Sequence, residues 1–329
     1  MGGSALKTTK TRRYDIDEYL RISDLATVKL SSISDVYQVY RIPHIRDKKT
    51  FGDLDILYTT WSDSMLRRAA IQSMFHPNEI VKNSEVISFN IEELQVDTIH
   101  TPYIGSIYAL NYYSWNDAGN LIGKLFHKFG MKHGHRGLVL PLRDGDNKFA
   151  DVPLTLKHDD ALKFVGLDPE IFNSGFDSLD ALFNYISSSP YYNPEFYKLE
   201  NLNTIAKVRD RKRQTYNKFL AFGESYTGPV FNEFEQDKSK YLDMIFTAFP
   251  HAYEKFEKAN AELAAKKFLR QKFNGDIVAE LTGLSGKKLG AFMQHLRGQF
   301  DFKESVLMYL PEATIRRNVL DLFETFVYN

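Results

Sequence analysis

The chain of 329 residues contains no cysteine, and its formal net charge at pH 7 is zero. The lack of cysteine excludes disulfides, thiolate zinc sites and cysteine nucleophiles, and it fits a reducing compartment. A net charge of zero gives no nucleic-acid signature for the chain as a whole. Any binding to nucleic acid must therefore come from local basic patches.

Long apolar runs are also missing. No stretch of about 18 apolar residues exists, and the start of the chain has no signal-peptide core. We therefore expect a soluble monomer, cytoplasmic or nucleoid-associated, with no membrane partner. The hydrophobic fraction of 43% is ordinary for a globular protein, while 25 Phe and 19 Tyr suit packed helices and base stacking. The length predicts two domains or three small ones.

The most informative stretch is Thr50–Tyr58, which reads Thr-Phe-Gly-Asp-Leu-Asp-Ile-Leu-Tyr. In a strand, alternation places Asp53 and Asp55 on the same face. Strand stability does not call for two adjacent carboxylates, so their repulsion indicates a nearby cation, and Mg²⁺ prefers such oxygen ligands. The plainer interpretation is a turn followed by a solvated edge strand.

A third carboxylate favours the metal interpretation. Residues 85–91 and 94–100 read as two strands of a hairpin joined by Glu92-Glu93, and the second strand carries Asp97. An Asp-x-Asp pair on one strand and a lone Asp on a neighbouring strand is the arrangement that two-metal phosphoryl transfer needs. The sequence therefore predicts a site for two Mg²⁺ or Mn²⁺ ions at Asp53, Asp55 and Asp97.

With these residues in place, the segment 35–172 resembles the palm and thumb of the X family of DNA polymerases, the polymerase β-like nucleotidyltransferases. The likeness rests on Thr50–Leu57, on Gln95-Val96-Asp97, on Tyr112–Lys124 and on Val165-Gly166-Leu167, which resembles a Leu-Gly-Leu turn of the family. It implies an α+β fold with a mixed β-sheet. The implied domains are an N-terminal extension (1–30), a palm (31–106), a thumb-like α/β subdomain (107–173) and an all-helical C-terminal domain (174–329).

The resemblance also implies a set of nucleotide-binding residues, which are Arg46, Lys48, Lys49, Gly52, Tyr112, Tyr113, Asp117, Asn120 and Lys124. Two departures stand beside it. Ile42-Pro43 occupies the place of a Gly-Ser pair that cradles the triphosphate, and Pro43 has no amide hydrogen to donate. Trp115-Asn116 replaces a second Gly-Ser pair. The alternatives are a solvated basic turn around Arg46 and an ordinary helix capped by Asn116.

After residue 177 the pattern is helical, with helices predicted over 178–187, 203–222, 230–249 and 252–273. The second carries the basic residues Arg211, Lys212 and Arg213, which indicate either nucleic-acid contact or a solvated face. Residues 274–293 resemble the late helical segment of tRNA CCA-adding enzymes, where a glycine turn would present Lys287 and Lys288 to phosphate. A simple αα-hairpin is the alternative.

Three other expectations concern local structure. Residues 1–13 read as a mobile tail, and Ser62-Asp63-Ser64 is predicted to cap a helix that runs to Phe75. The histidines at 127, 133 and 135 lack a fourth zinc ligand at a suitable spacing, so we do not predict zinc there.

Taken together, the sequence predicts transfer of a nucleoside monophosphate from an NTP or dNTP to a hydroxyl, with a DNA or RNA 3′ end as acceptor. Transfer to tRNA or another acceptor is one alternative. A catalytically degenerate nucleic-acid-binding protein is the other.

Overall fold

A computed structural model of the chain describes residues 5–326. The strands are β1 (Tyr14–Asp15), β2 (Val36–Arg41), β3 (Thr50–Phe51), β4 (Asp53–Thr60), β5 (Ile80–Asn83), β6 (Val86–Ile91), β7 (Leu94–His100), β8 (Lys132–Gly134), β9 (Gly137–Asp144) and β10 (Asn147–Thr155). The first helices are α1 (Ile16–Ser31), α2 (Arg68–Phe75), α3 (Ser106–Tyr113), α4 (Ala118–Lys128), α5 (His158–Phe164), α6 (Pro169–Ser174) and α7 (Leu179–Ser187). The later helices are α8 (Thr204–Asp210), α9 (Gln214–Glu224), α10 (Leu242–Ala248), α11 (Tyr253–Lys272), α12 (Gly275–Thr282), α13 (Gly286–Gly298), α14 (Glu304–Leu307) and α15 (Glu312–Thr325).

The chain divides into two compact units. One unit contains the residues up to 141 together with 151–252, and the other contains 142–150 together with the residues from 253 onward. Among the described residues, no helix combines the length and the apolar character needed to cross a membrane. The division differs from the predicted boundaries, because the helices from 174 to 252 belong to the same unit as the sheet.

The first unit is built on a five-stranded mixed sheet with the strand order β2-β4-β7-β6-β5. Strands β4 and β7 are parallel, whereas β2, β6 and β5 pair antiparallel with their neighbours. The predicted α+β class and the hairpin of β6 and β7 are confirmed. One face of this sheet packs in a core with α1, where Leu54, Ile56 and Val96 are buried.

The opposite face of the sheet carries the odd-numbered residues of β4 and β7. Leu57 and Ile99 form a small cluster there with Ala109 of α3. Because side chains alternate along a strand, burying Leu54 and Ile56 against α1 turns Asp53 and Asp55 towards the other face. The hydrophobic pattern of the strand thus positions its carboxylates.

The second unit has a core of its own. Val278 of α12, Phe292 and Leu296 of α13 and Val319 of α15 are completely buried in it. The tip of the hairpin formed by β9 and β10 belongs to this unit, and there Asp144 pairs with Lys267 and Arg270 of α11. The glycine turn predicted near residue 283 is present, since Gly283 has a φ of 69° at the end of α12.

Several local predictions were wrong. Residues 1–4 of the predicted tail lie outside the described residues, but residues 5–13 hydrogen-bond to the sheet unit through Gln95, Glu79 and Glu93. Helix α2 begins at Arg68 rather than near Ser64, because the segment before it forms a turn in which Asp63 has a φ of 51°.

The helical region also differs in detail. The helix predicted over 203–222 is interrupted at 211–213, between α8 and α9. Most of the helix predicted over 230–249 is absent, because the Phe231 backbone donates a hydrogen bond to Tyr192 and only 242–248 is α-helical. The helices predicted over 178–187 and 252–273 are confirmed, within one residue, by α7 and α11.

Candidate metal centre and its cleft

The three predicted carboxylates converge on one point of the sheet. In the parallel ladder of β4 and β7, Asp55 lies directly opposite Asp97, and Asp53 lies two residues earlier on β4. One carboxylate oxygen from each of the three residues lies within 4.8 Å of the others. This spacing allows several carboxylates to ligate the same cation.

Electrostatics at this point disfavours three negative charges. Burial raises the pKa of Asp55 well above its ordinary value, and the charges of Asp53 and Asp97 raise it further. Burial also raises the pKa of Asp97, although hydrogen bonds from Ser88 and Gln95 oppose that shift. A cation among these oxygens would relieve the repulsion, so the donor set fits the predicted Mg²⁺ or Mn²⁺.

The carboxylates line a large cleft of about 1230 Å³ within the first unit. Its lining includes the segment before β4, with Lys48 and Lys49, and the starts of α7 and α9. Burial lowers the pKa of Lys48, while Asp53 and Asp55 act in the opposite direction. The cleft therefore places cationic side chains around a group of acids, as a site for a charged phosphate ester requires.

Five of the predicted nucleotide-binding residues line this cleft, namely Lys48, Lys49, Gly52, Tyr113 and Asp117. The Tyr113 ring stacks on His135 with centroids 5.7 Å apart, so one face of the ring is already covered. Asp117 forms an ion pair with Arg213. The structure thus brings an aromatic ring and a carboxylate of the predicted set into the space beside the acids.

The structure places the other four predicted nucleotide-binding residues in protein contacts. Arg46 pairs with Asp177 at 2.6 Å, and the Tyr112 ring packs edge-on against His133. The buried Lys124 donates a 2.8 Å hydrogen bond to Asp210, which Asn120 also contacts. The hydrogen bonds of Lys124 and Asn120 to Asp210 join α4 to the end of α8, a structural role that the resemblance did not indicate.

The predicted nucleic-acid-binding residues fall in both units. Arg213 lines the cleft, whereas Arg211 and Lys212 are exposed in the interruption between α8 and α9. Lys287 and Lys288 are exposed in the first turn of α13, in the second unit.

Sequence reasoning missed several cleft residues, which are Arg13, Ser178, Asp180, Gln214, Thr215 and Lys218. No motif marks them, because they come from segments far from the acids in sequence. The two departures from the family pattern also meet near the cleft, where the Trp115 backbone N–H donates to the Pro43 carbonyl at 2.9 Å. Trp115 and Asn116 have φ values of 61° and 62°, an uncommon conformation for such residues.

Comparison with known proteins adds no relative: no family model and no curated protein matches the chain. Arguments about function consequently depend on the site itself.

Proposed function

We propose that the protein is a polymerase β-like nucleotidyltransferase that uses two divalent ions. One observation carries the proposal: Asp53, Asp55 and Asp97 have carboxylate oxygens within 4.8 Å of one another. They line a cleft whose other lining residues include Lys48, Lys49, Arg13 and Arg213. Three carboxylates suit Mg²⁺ or Mn²⁺, and the cations suit a triphosphate. The mixed sheet is compatible with the palm fold that the sequence resembles.

In this proposal the acceptor hydroxyl oxygen forms a bond to the α-phosphorus of the nucleotide. The bond from that phosphorus to the bridging oxygen of the β-phosphate breaks, pyrophosphate leaves, and the hydroxyl proton passes to solvent or a nearby base. Asp53 and Asp55 would hold both ions and Asp97 would hold the one beside the attacking hydroxyl. Bound ions of this kind stabilise the charge on the attacking and leaving oxygens.

The remaining cleft residues would bind and orient the substrate. Pro43 cannot donate a backbone hydrogen bond to a phosphate, so Lys48 and Lys49 replace part of that cradle with positive charge. Arg213 lines the same cleft and forms an ion pair with Asp117. The Tyr113 ring provides an apolar surface for the sugar.

The test is incorporation of labelled nucleotide in the presence of Mg²⁺ or Mn²⁺. Asp55→Asn should abolish incorporation, because the ions lose a ligand shared between them. Asp55→Asn should still fold, since it removes repulsion and leaves no cavity. Asp160→Asn on the exposed first turn of α5 is the matched control, and it should retain wild-type turnover.

The acceptor is identified by offering gapped duplex DNA, primed single strands, tRNA and no acceptor in parallel. Preferred labelling of DNA supports a repair-like polymerase, and preferred labelling of tRNA supports the CCA-like alternative. Wild-type turnover in Asp55→Asn would show that the two-metal assignment is wrong. Binding of nucleic acid with no incorporation under any condition would instead support the catalytically degenerate alternative.

A further inference from the structure

A hydrogen-bond network connects the start of the chain to the metal centre through Gln95. The Gln95 side chain is 2% exposed and lies on β7 two residues before Asp97, on the same face of the sheet. Its amide nitrogen donates to both carboxylate oxygens of Asp97, at 2.9 and 3.0 Å. Its amide oxygen accepts the backbone N–H groups of Ala5 at 3.0 Å and Leu6 at 3.3 Å.

These four contacts fix the orientation of the carboxamide. Flipping it would place the amide nitrogen against two N–H donors and the amide oxygen against a carboxylate, so both ends would lose their hydrogen bonds. Residues 5 and 6 therefore determine that Gln95 presents its donors, and not its acceptor, to Asp97. An oriented donor of this kind holds a carboxylate ligand in one rotamer.

The segment 5–9, here called the N-terminal strap, is held in place a few residues further on. Glu79 accepts hydrogen bonds from the backbone N–H groups of Lys7, Thr8 and Thr9, each at 2.9 Å or slightly longer. These bonds lower the pKa of Glu79 to about 2, so the carboxylate is charged at neutral pH. Leu6 is 7% exposed, which adds an apolar anchor between the two polar ones.

We propose that Gln95 is a positioning residue of the metal centre and that the N-terminal strap fixes the orientation of its carboxamide. Divalent-ion affinity then depends on a segment that contributes no metal ligand of its own. The inference rests on the proposed function, since it concerns the ions that the three carboxylates would hold.

The experiment measures Mn²⁺ binding to the full chain by isothermal titration calorimetry, without nucleotide. The heat lost in Asp55→Asn identifies the binding that belongs to the three carboxylates. Gln95→Met keeps the side-chain length but removes donors and acceptor, and it should weaken that binding by about 10-fold to 100-fold, as for other residues that orient metal ligands.

Glu79→Ala tests the strap without touching the metal centre. It should also weaken Mn²⁺ binding, but by a smaller factor than Gln95→Met. Ala5 and Leu6 keep their hydrogen bonds to Gln95, whereas Lys7, Thr8 and Thr9 lose theirs to Glu79. Glu93→Ala is the matched control: it removes one carboxylate that pairs with Arg12, while the Arg12 backbone N–H keeps its bond to the Glu93 carbonyl. This variant should bind Mn²⁺ as the wild type does.

The double variant distinguishes positioning from general loss of stability. If both residues act through one carboxamide, Gln95→Met with Glu79→Ala should weaken binding hardly more than Gln95→Met alone. Wild-type affinity in both single variants would overturn the inference while leaving the proposed function intact. Failure of the wild-type protein to bind Mn²⁺ at all would overturn both.

Discussion

His158, at the start of α5, is 3% exposed, and neither of its ring nitrogens has a hydrogen-bond partner among the described residues. Its ring packs against Tyr108 and Phe172. Burial lowers the pKa of His158 from 6.5 to about 4, although Asp159 acts in the opposite direction. At a pH between these two values the imidazole is therefore neutral in the native state and protonated in the unfolded chain.

The sign of the effect follows from that difference. Between pH 6.5 and 4 the unfolded state binds a proton that the native state does not, so stability is complete above pH 6.5 and falls as the pH is lowered. The loss from this residue reaches about 3 kcal/mol at pH 4. His158→Phe should remove that part of the pH dependence of the free energy of unfolding, measured by urea titration at several pH values.

His76→Phe is the control for this prediction, because His76 is an exposed histidine at the end of α2. An identical slope in His158→Phe and wild type would mean that His158 is protonated in the native state.

Tyr113 lines the same cleft as Asp55, and one face of its ring is covered by His135. We expect the ring to stand against the sugar and to exclude a 2′-hydroxyl. Tyr113→Ala should then raise the use of ribonucleotides relative to deoxyribonucleotides, whereas Tyr113→Phe should preserve the wild-type ratio. Competition between labelled NTP and dNTP measures it, and an unchanged ratio in Tyr113→Ala would leave the ring as packing only.

At the level of single residues, the sequence predicted the three acids because their spacing has no other strong structural cause. It could not predict Gln95 as their neighbour, because the orientation of that side chain depends on Ala5 and Leu6, which are 90 and 89 residues away. The sequence also showed no sign that Lys124 forms a buried ion pair with Asp210, because such a pair leaves no local pattern, and Lys124 was therefore assigned to the nucleotide.

The interruption between α8 and α9 carries two exposed basic residues beside Arg213, which lines the cleft. Asp210 is completely buried against Lys124, and Arg211 and Lys212 project into solvent immediately after it. Neutralising both should reduce the slope of log affinity for single-stranded DNA against log salt by about 1.4 units, because each phosphate contact releases counterions. Filter binding at a series of salt concentrations measures the slope.

Lys255 and Lys258 on the exposed side of α11 provide a matched pair of neutralised lysines, and their loss should leave the slope unchanged. Substituting Lys287 and Lys288 in a further variant tests whether the second unit also binds nucleic acid. If the Arg211 and Lys212 variant had the wild-type slope, these residues would form a solvated face.

At the level of elements, strands β4, β6 and β7 were predicted, whereas β8, β9 and β10 and several helix ends were not. The period of two in β4, β6 and β7 survives in the structure, since both the core and the acids depend on it. Two helices replace the single helix predicted over 203–222, because Asp210 forms a buried ion pair with Lys124 of α4. A window of local sequence contains no signal for such a distant partner.

For the whole molecule, the separate cores predict separate unfolding. Phe292 is completely buried in the core of the second unit, so Phe292→Ala should cost about 3 to 5 kcal/mol there. Leu162→Ala, in the first unit, is the matched substitution. In scanning calorimetry each variant should lower the midpoint of a different transition, and equal shifts of one shared transition would show that the units unfold together.

The number of units was predictable from length, but their boundaries were not. The described residues from 174 to 326 contain helices and no β-strand, so no change in the type of secondary structure marks residue 252. Aromatic contacts of the folded state join 174–252 to the rest of the first unit, such as Trp115 on Phe176 and Phe129 on Tyr191. Neighbouring helical segments are therefore divided between the units by side-chain packing, which a local sequence pattern does not show.

The hairpin of β9 and β10 has a consequence for the order in which the chain is made. Residues 142–150 at its tip leave the ribosome more than a hundred residues before Arg270, which pairs with Asp144. During synthesis the tip therefore stays exposed to solvent until the rest of its unit has been translated. A fragment that stops at residue 252 would leave the tip without its packing partners, so a shortened gene for the first unit should replace residues 142–150 with a tight turn.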